Sequence, residues 1–386
     1  MKKQINNFDI LLLSFVILIM ISSVVGLYSA QKYVTVDDIY YKKQIVWFIV
    51  SLIVMFVIFF FDMDIIMNLT PVVYIMGILL LIFVLVAPDS IAPEIKGAHS
   101  WILVPGFGSL QPSEFMKIFL IMMLSYTVVK HNNKNTIGII KNDLVLLLKL
   151  ALVALLPIGL TLLQNDFGTA LVMTVITIGV TSVSGINWRI ILLFFSLGIT
   201  IILALILMYI IKPEMLLFLL DEYQLNRINS WLDPFGHAQG IGYQLMQSIL
   251  SIGSGMTNGK GFGESNVYVP EAHTDFIFSI FAEEFGFIGG SILIGLYFLV
   301  IYRIVVIALK STLFESYICT GVIAWLTFHV FQNIGMVMGL IPITGIPLPL
   351  MSYGGSSVLA TMIGISLVLN ISLKQKNYMF KNNHSN

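Results

Sequence analysis

The run Pro270-Glu271-Ala272-His273-Thr274-Asp275 puts a carboxylate, an imidazole and a second carboxylate within five positions. These are the side chains that take and give protons in general acid–base chemistry. The run closes a long polar loop and leads straight into an apolar stretch from Phe276. A carboxylate at a helix start has an ordinary use, since it caps free N–H groups and meets the positive end of the helix dipole. Three titratable groups where the chain enters a membrane exceed that need. They would face the polar head of a lipid-borne substrate.

Other costly residues are candidates for the same chemistry. A charge at membrane depth costs at least about 2.5 kcal/mol, so it needs a partner or a task. Glu114 and Lys117 stand three residues apart on one helix face and can pair, with Gln111 and Ser113 just before them. Gln164, Asn165 and Asp166 fall at a turn between two apolar stretches, Gln332 and Asn333 near the end of another, and Ser352 to Ser357 at the start of the last. Glu283 and Glu284 lie roughly 12 Å of helix beyond Asp275 and point about 100° apart, so both cannot face one cavity squarely. Arg227 and Lys260 are cations of the long loop that could meet an anion, Arg227 by a two-pronged grip.

Plainer readings stand beside these. The Glu114–Lys117 pair can be purely structural. The serines and glycines of 352–357, including Ser352 and Ser356 beside Tyr353, can simply let helices approach. His329, alone on an apolar helix, reads as a buried, hydrogen-bonded histidine rather than a ligand. Gly253 to Gly261 approaches a phosphate-binding loop but breaks it: Ser254 stands where the first Gly is required, and Gly261 follows Lys260 where Ser or Thr should hold Mg²⁺. No His-x-x-x-His or comparable metal spacing is present in the sequence. Mg²⁺ or Mn²⁺ would therefore rest on a few carboxylates, water and substrate phosphate.

The elements that must hold these groups are membrane helices. Of 386 residues, 58% are hydrophobic and 10% charged, against roughly 25% charged in a soluble chain. Apolar runs of about 18 residues or more recur, and helices keep their backbone groups satisfied in lipid. The chain reads as an all-α, polytopic membrane protein. Its ten spans lie near 9–30, 44–61, 68–87, 112–130, 144–163, 167–185, 189–211, 276–302, 314–339 and 350–373. The first apolar run has the look of a signal peptide, but the spans that follow make it the first helix. Residues 1–373 form one membrane domain, and 374–386 a polar, unstructured tail. Zero net charge gives no bulk attraction for nucleic acid, and the single cysteine, Cys319, excludes an intrachain disulfide.

An even span count puts both termini on one side. Eleven basic residues fall on that side: Lys2, Lys3, Lys130, Lys134, Lys141, Arg189, Arg303, Lys310, Lys374, Lys376 and Lys381. The short loops opposite carry four, Lys32, Lys42, Lys43 and Lys96. The excess makes the termini cytoplasmic. The 212–275 loop between spans seven and eight then lies outside. In it, Met215 to Leu220 is apolar and Tyr243 to Ile252 reads as an amphipathic helix, both suited to the interface. Gly253 to Gly263 reads as flexible. Pro157 is expected to kink its helix, and Pro342, Pro347 and Pro349 keep 342–349 from being helical. With this topology the costly residues of the spans gather in the outer half of the membrane, as one outward-facing polar cavity.

Four blocks resemble signatures of the SEDS family (shape, elongation, division and sporulation). They are Gln111-Pro112-Ser113-Glu114 with Lys117; Gln164-Asn165-Asp166-Phe167-Gly168-Thr169-Ala170; Glu271 to Phe278 followed by Glu283-Glu284; and Gly345-Ile346-Pro347-Leu348-Pro349 through Ser352-Tyr353-Gly354-Gly355-Ser356-Ser357. They come in family order across nearly the whole chain. Gly345 to Pro349 and Gly259-Lys260-Gly261 are more similar to the RodA elongation branch than to the FtsW division branch. Two departures are Ser100 before Trp101, where relatives often carry a basic residue, and Asn165 in place of a frequent proline.

The resemblance implies a ten-helix peptidoglycan glycosyltransferase in the bacterial cytoplasmic membrane. Such proteins polymerise lipid II on the outer face and work with a class B penicillin-binding protein, a transpeptidase. No nucleotide sugar is expected outside, so the donor brings its own leaving group, a polyprenyl diphosphate. Asp275 is then the expected base. Lys117, Arg227 and Lys260 are expected to offset diphosphate charge, with Glu114 holding Lys117. Gln111, Ser113, Asp166, Glu271, His273, Ser352, Tyr353 and Ser356 are expected around the cavity. The alternative, a lipid II flippase, predicts polar groups reaching both faces, whereas here they gather on one. A scaffold without chemistry would have no need of Glu-x-His-x-Asp.

Overall fold

The computed structural model describes residues 8–33, 39–95, 97–104, 108–211, 222–240 and 242–381. In chain order the elements are α1 (Ile10–Ala30), a 3₁₀ turn (Gln31–Tyr33), α2 (Tyr40–Ile58), α3 (Met63–Val86), β1 (Ile102–Val104), β2 (Gly108–Leu110), α4 (Pro112–Asn132), α5 (Ile140–Leu163), α6 (Phe167–Val183), α7 (Trp188–Ile211), α8 (Glu222–Leu232), α9 (Tyr243–Ser254), α10 (Ile277–Ala308), α11 (Leu313–Val337) and α12 (Gly355–Lys381). Among the described residues, nine helices are long and apolar enough to cross a membrane, and α6 adds a shorter apolar helix of 17 residues. The chain is a multi-pass membrane protein, and these ten apolar helices of the described residues correspond to the ten spans expected.

Local chemistry sets the helix starts. The Asp9 carboxylate accepts from Leu12 N at 2.9 Å at the head of α1, and Asp166 accepts from Thr169 N at 3.1 Å at the head of α6. Pro112 opens α4, where its missing N–H costs nothing. Pro157 lies inside α5 and Pro71 inside α3. The segment between α11 and α12, with Pro342, Pro347 and Pro349, is not helical.

The helices pack as a bundle in which α10 lies against α1 and α11, α11 against α4 and α6, and α12 against α2 and α4. Most of α4 and α12 is buried, while none of the most apolar stretch of α7 is. Ion pairs tie one end of the bundle: Arg303 to Asp9, and Lys374 to Asp62 at 2.6 Å. The polar side chains singled out above lie at the other end, around the C-terminal ends of α1 and α11 and the N-terminal ends of α2, α4, α6, α10 and α12.

Several expectations need correction. A two-stranded antiparallel hairpin joins α3 to α4, pairing Ile102 with Leu110 and Val104 with Gly108. The last helix begins at Gly355 rather than 350 and runs on to Lys381, so most of the tail is helical in backbone. The long loop contains two helices, α8 and α9; the second is the amphipathic one expected. Met215 to Leu220, Lys2, Lys3 and Lys96 lie outside the described residues.

The Gly-rich stretch 253–263 is packed rather than loose. α10 is broken at Gly286, with φ 65° and ψ −163°. A break in a membrane helix frees backbone groups that need partners. The stretch supplies them: Phe287 N donates to Met256 O at 2.8 Å and Ile288 N to Thr257 O at 3.2 Å. In return Lys260 N and Gly261 N donate to Glu283 O and Glu284 O, both at 3.0 Å.

Candidate active site

The turn ahead of α10 presents Asp275. Thr274 N donates to Glu271 O at 3.1 Å, and Glu271 holds a positive φ of 55°. The N-cap of α10 is Phe276, one residue beyond Asp275. Three neighbours fix the turn through its backbone. Ser352 Oγ donates to Thr274 O at 2.7 Å, Tyr353 N to His273 O at 2.9 Å, and Asn333 Nδ2 to Asp275 O at 2.8 Å. The His273 ring stacks on Tyr40, with centroids 4.4 Å apart and planes 12° apart. Tyr40 also meets Tyr353 at 4.6 Å. The half-buried Asp275 carboxylate lies beside Gly345, where a Cβ would stand 3.6 Å from Oδ2.

A buried cation stands on α4. Lys117 is fully buried, with Nζ 2.8 Å from Glu114 Oε1. Nζ also lies 3.5 Å from His329 Nε2 and 4.9 Å from the centre of the Trp325 ring. The pair expected from spacing is formed, and His329 is buried and bonded as expected, 3.1 Å from Pro347 O through Nδ1. That this lone histidine would touch Lys117 was not visible in the sequence.

Asp166 gathers a third group. Its Oδ2 accepts from Gln111 Nε2 at 2.8 Å and from Ser113 Oγ at 3.2 Å. Gln111 N donates to Ser356 Oγ at 3.0 Å. Gly168 then brings the start of α6 against the 344–346 stretch, with a built Cβ 3.2 Å from Ile346 and 3.4 Å from Thr344 O. The stretch that touches Asp275 at Gly345 therefore also abuts α6.

Other candidates are placed elsewhere. Glu283 and Glu284 are buried ties between elements, not walls of the Asp275 site. Glu283 accepts from Lys260 Nζ at 2.5 Å, Asn266 N at 2.9 Å, Val267 N at 3.2 Å and Ser251 Oγ at 2.7 Å. Ser29 donates to Glu284 at 2.7 Å. A carboxylate this deep is tolerable because donors surround it. Lys260 is thus held by Glu283 and Asn266. Arg227, on α8, donates to Ile343 O at 3.0 Å, next to the Gly345 stretch. Tyr40 and Gln44 were missed by sequence reasoning; Gln44 Nε2 donates to Ser352 O at 3.0 Å. The Tyr40-Tyr41 pair at a helix head was the one available signal.

Among the described residues, no group of three or more His, Cys, Asp or Glu side chains could hold a metal ion.

A bundle of long apolar helices with a carboxylate-bearing turn and a buried Lys–Glu pair at one end defines a multi-pass integral membrane protein. The family model covering FtsW, RodA and SpoVE, described as "Cell cycle protein", matches residues 5–377, and the chain belongs to this family. The chain is 32% identical over 383 residues to a probable peptidoglycan glycosyltransferase FtsW of Trichlorobacter lovleyi, covering 96% of this chain and 94% of that one. It is 37% identical over 315 residues to the peptidoglycan glycosyltransferase MrdB of Escherichia coli K12, covering 79% and 78%. A solved structure described as structural coordination of polymerization and crosslinking by a peptidoglycan synthase complex superposes with a TM-score of 0.77 at 31% identity, over 96% of this chain and 98% of that chain. The rod-shape-determining protein RodA of Thermus thermophilus superposes with a TM-score of 0.68 at 30% identity, over 95% and 97%.

Proposed function

We propose that this chain is a peptidoglycan glycosyltransferase that polymerises lipid II into glycan strands at the outer face of the cytoplasmic membrane, for cell elongation and shape. Similarity over 79–96% of the chain to peptidoglycan glycosyltransferases supports the activity. The observation that supports the site assignment is Asp275 just ahead of α10, whose backbone oxygen accepts from the Asn333 side chain of α11 while the Ser352 hydroxyl, ahead of α12, donates to Thr274 O. Likeness to RodA supports the elongation branch. The excess of basic residues beside the termini supports an outward-facing site.

In the reaction, the 4-hydroxyl of the acceptor GlcNAc attacks the anomeric carbon of the donor MurNAc. The new C–O bond forms as the bond to the diphosphate breaks. The polyprenyl diphosphate leaves with the electron pair, and the centre inverts. Asp275 takes the hydroxyl proton, a contribution typically of 10²–10⁴-fold. Lys117, in low-dielectric surroundings, offsets developing negative charge from behind the site. Arg227 has the same task from α8. Lys260 is assigned to its loop instead, because Glu283 holds it. Mg²⁺ or Mn²⁺ would be held chiefly by the diphosphate and water, since the protein offers no cluster of ligands among its described residues. A class B penicillin-binding protein is the proposed partner, supported by the likeness to a complex that couples polymerization and crosslinking.

The test is polymerisation by purified protein, with its partner, of labelled lipid II in Mg²⁺ or Mn²⁺, resolved on a gel. A glycan ladder that Asp275→Ala abolishes is the expected result. A normal ladder from Asp275→Asn would remove Asp275 as the base. Transfer of lipid II between leaflets without a ladder would replace the enzyme with a flippase.

A further inference from the structure

Helix α11 carries two polar side chains that the reaction scheme leaves without a task. His329 and Asn333 are one turn apart and so share a face; both are buried, Asn333 completely. His329 Nδ1 lies 3.1 Å from Pro347 O. A carbonyl only accepts, so Nδ1 carries the hydrogen. Nε2 is then the acceptor that faces the Lys117 ammonium at 3.5 Å. Asn333 Nδ2 donates to Asp275 O and to Ile346 O, each at 2.8 Å.

Ile346 and Pro347 are consecutive. One helical face therefore grips one short piece of chain. From that grip, His329 reaches the buried cation and Asn333 reaches the backbone of the carboxylate-bearing residue. We infer that His329 and Asn333 are positioning residues that fix the separation between Asp275 and Lys117, with α11 and the 345–347 stretch as the spacer. The inference rests on the reading of Asp275 as the base.

Burial of an amide and an imidazole is costly unless each is bonded. Here the bonds go to the site's own backbone and cation, where a helix contact alone would be served by apolar side chains. Neither group is assigned a contact with substrate. Their loss should misplace reacting groups, and a shift of about 1 Å can cost on the order of 10²-fold in rate. The effect should fall on turnover rather than on lipid II binding.

The experiment measures saturation curves for lipid II polymerisation, and melting temperatures, for the wild-type protein with its partner and for Asp275→Asn, Asn333→Leu, His329→Leu and His329→Gln. In Asn333→Leu, turnover at saturating lipid II should fall about tenfold or more per folded molecule, with the half-saturating concentration within about threefold of wild type. His329→Gln, whose amide keeps a donor for Pro347 O and an acceptor for Lys117, should recover most of what His329→Leu loses. Unchanged turnover in Asn333→Leu beside an inactive Asp275→Asn overturns the inference alone. If Asn333→Leu does not fold, equal turnover in the two His329 variants overturns it. A wild-type protein that makes no glycan, or an Asp275→Asn variant that makes it normally, overturns the catalytic reading and the inference with it.

Discussion

Gly259 and Gly286 meet backbone to backbone: a Cβ on Gly286 would stand 2.3 Å from Gly259 N, and one on Gly259 would stand 2.0 Å from Glu284 O. Both residues have positive φ, 80° and 65°. The stretch after α9 is thus seated in the break of α10, directly beside Glu283. It joins loop and helix into one body at the end of the bundle that carries Asp275.

A side chain at Gly259 must force that contact apart and adopt an unfavourable φ as well. Gly259→Ala is expected to lose about 1–3 kcal/mol of stability. Gly253 has open space around it and lies within α9, so Gly253→Ala should be neutral or slightly stabilising. Thermal melts of the two variants in one detergent check the contrast; equal melting temperatures would deny the seated contact.

Lys117 and Glu114 form a buried pair. Removing one partner leaves the other charge buried and uncompensated, a loss of about 3–5 kcal/mol in comparable cases. Lys117→Met and Glu114→Leu should each be poorly stable, and the double variant should recover much of that loss. Polymerisation should stay absent in all three, because the cation is gone or misplaced. A double variant that makes a normal ladder would reduce the pair to a structural role.

Glu283 and Lys260 give an unequal pattern. Glu283 is fully buried among four donors, so Glu283→Ala should lower the melting temperature strongly by orphaning them. Lys260→Met leaves Glu283 buried without its counter-charge but with three neutral donors, so it should also destabilise, by less than Glu283→Ala. Lys260→Met should also leave the half-saturating concentration of lipid II within about twofold of wild type, as expected for a residue outside the binding interaction. A clear rise would return Lys260 to the diphosphate.

Much of this was legible in sequence because membrane chemistry is strict. Spans follow from apolar length, and Glu114 and Lys117 three apart could hardly avoid each other. The rest depends on contacts distant in the chain. His329 meets Lys117 across 212 positions, and Asn333 meets Asp275 across 58; no local pattern encodes either. Glu283 and Glu284 are bonded by Ser251, Lys260, Asn266 and Ser29, all distant from them in the chain. Strands of three residues are too short to show a period of two. Lys374 to Lys381 is polar enough to end a span, yet it holds no Gly or Pro to end a helix, and α12 runs on.

Tyr40 supplies the last prediction. Its ring lies between His273 and Tyr353, and Tyr353 N holds His273 O. The turn so held contains Glu271 at positive φ, a conformation that surrounding contacts must enforce. Aromatic pairs of this kind contribute about 0.5–1.5 kcal/mol beyond burial. Tyr40→Phe keeps both ring contacts and should polymerise lipid II within about twofold of wild type, whereas Tyr40→Ala loosens the turn and should lose about three- to tenfold in turnover. The two variants separate ring from hydroxyl. If Phe is as damaging as Ala, the hydroxyl of Tyr40 contributes directly; if neither matters, the aromatic stack does not hold the turn and Asp275 relies on its bond from Asn333.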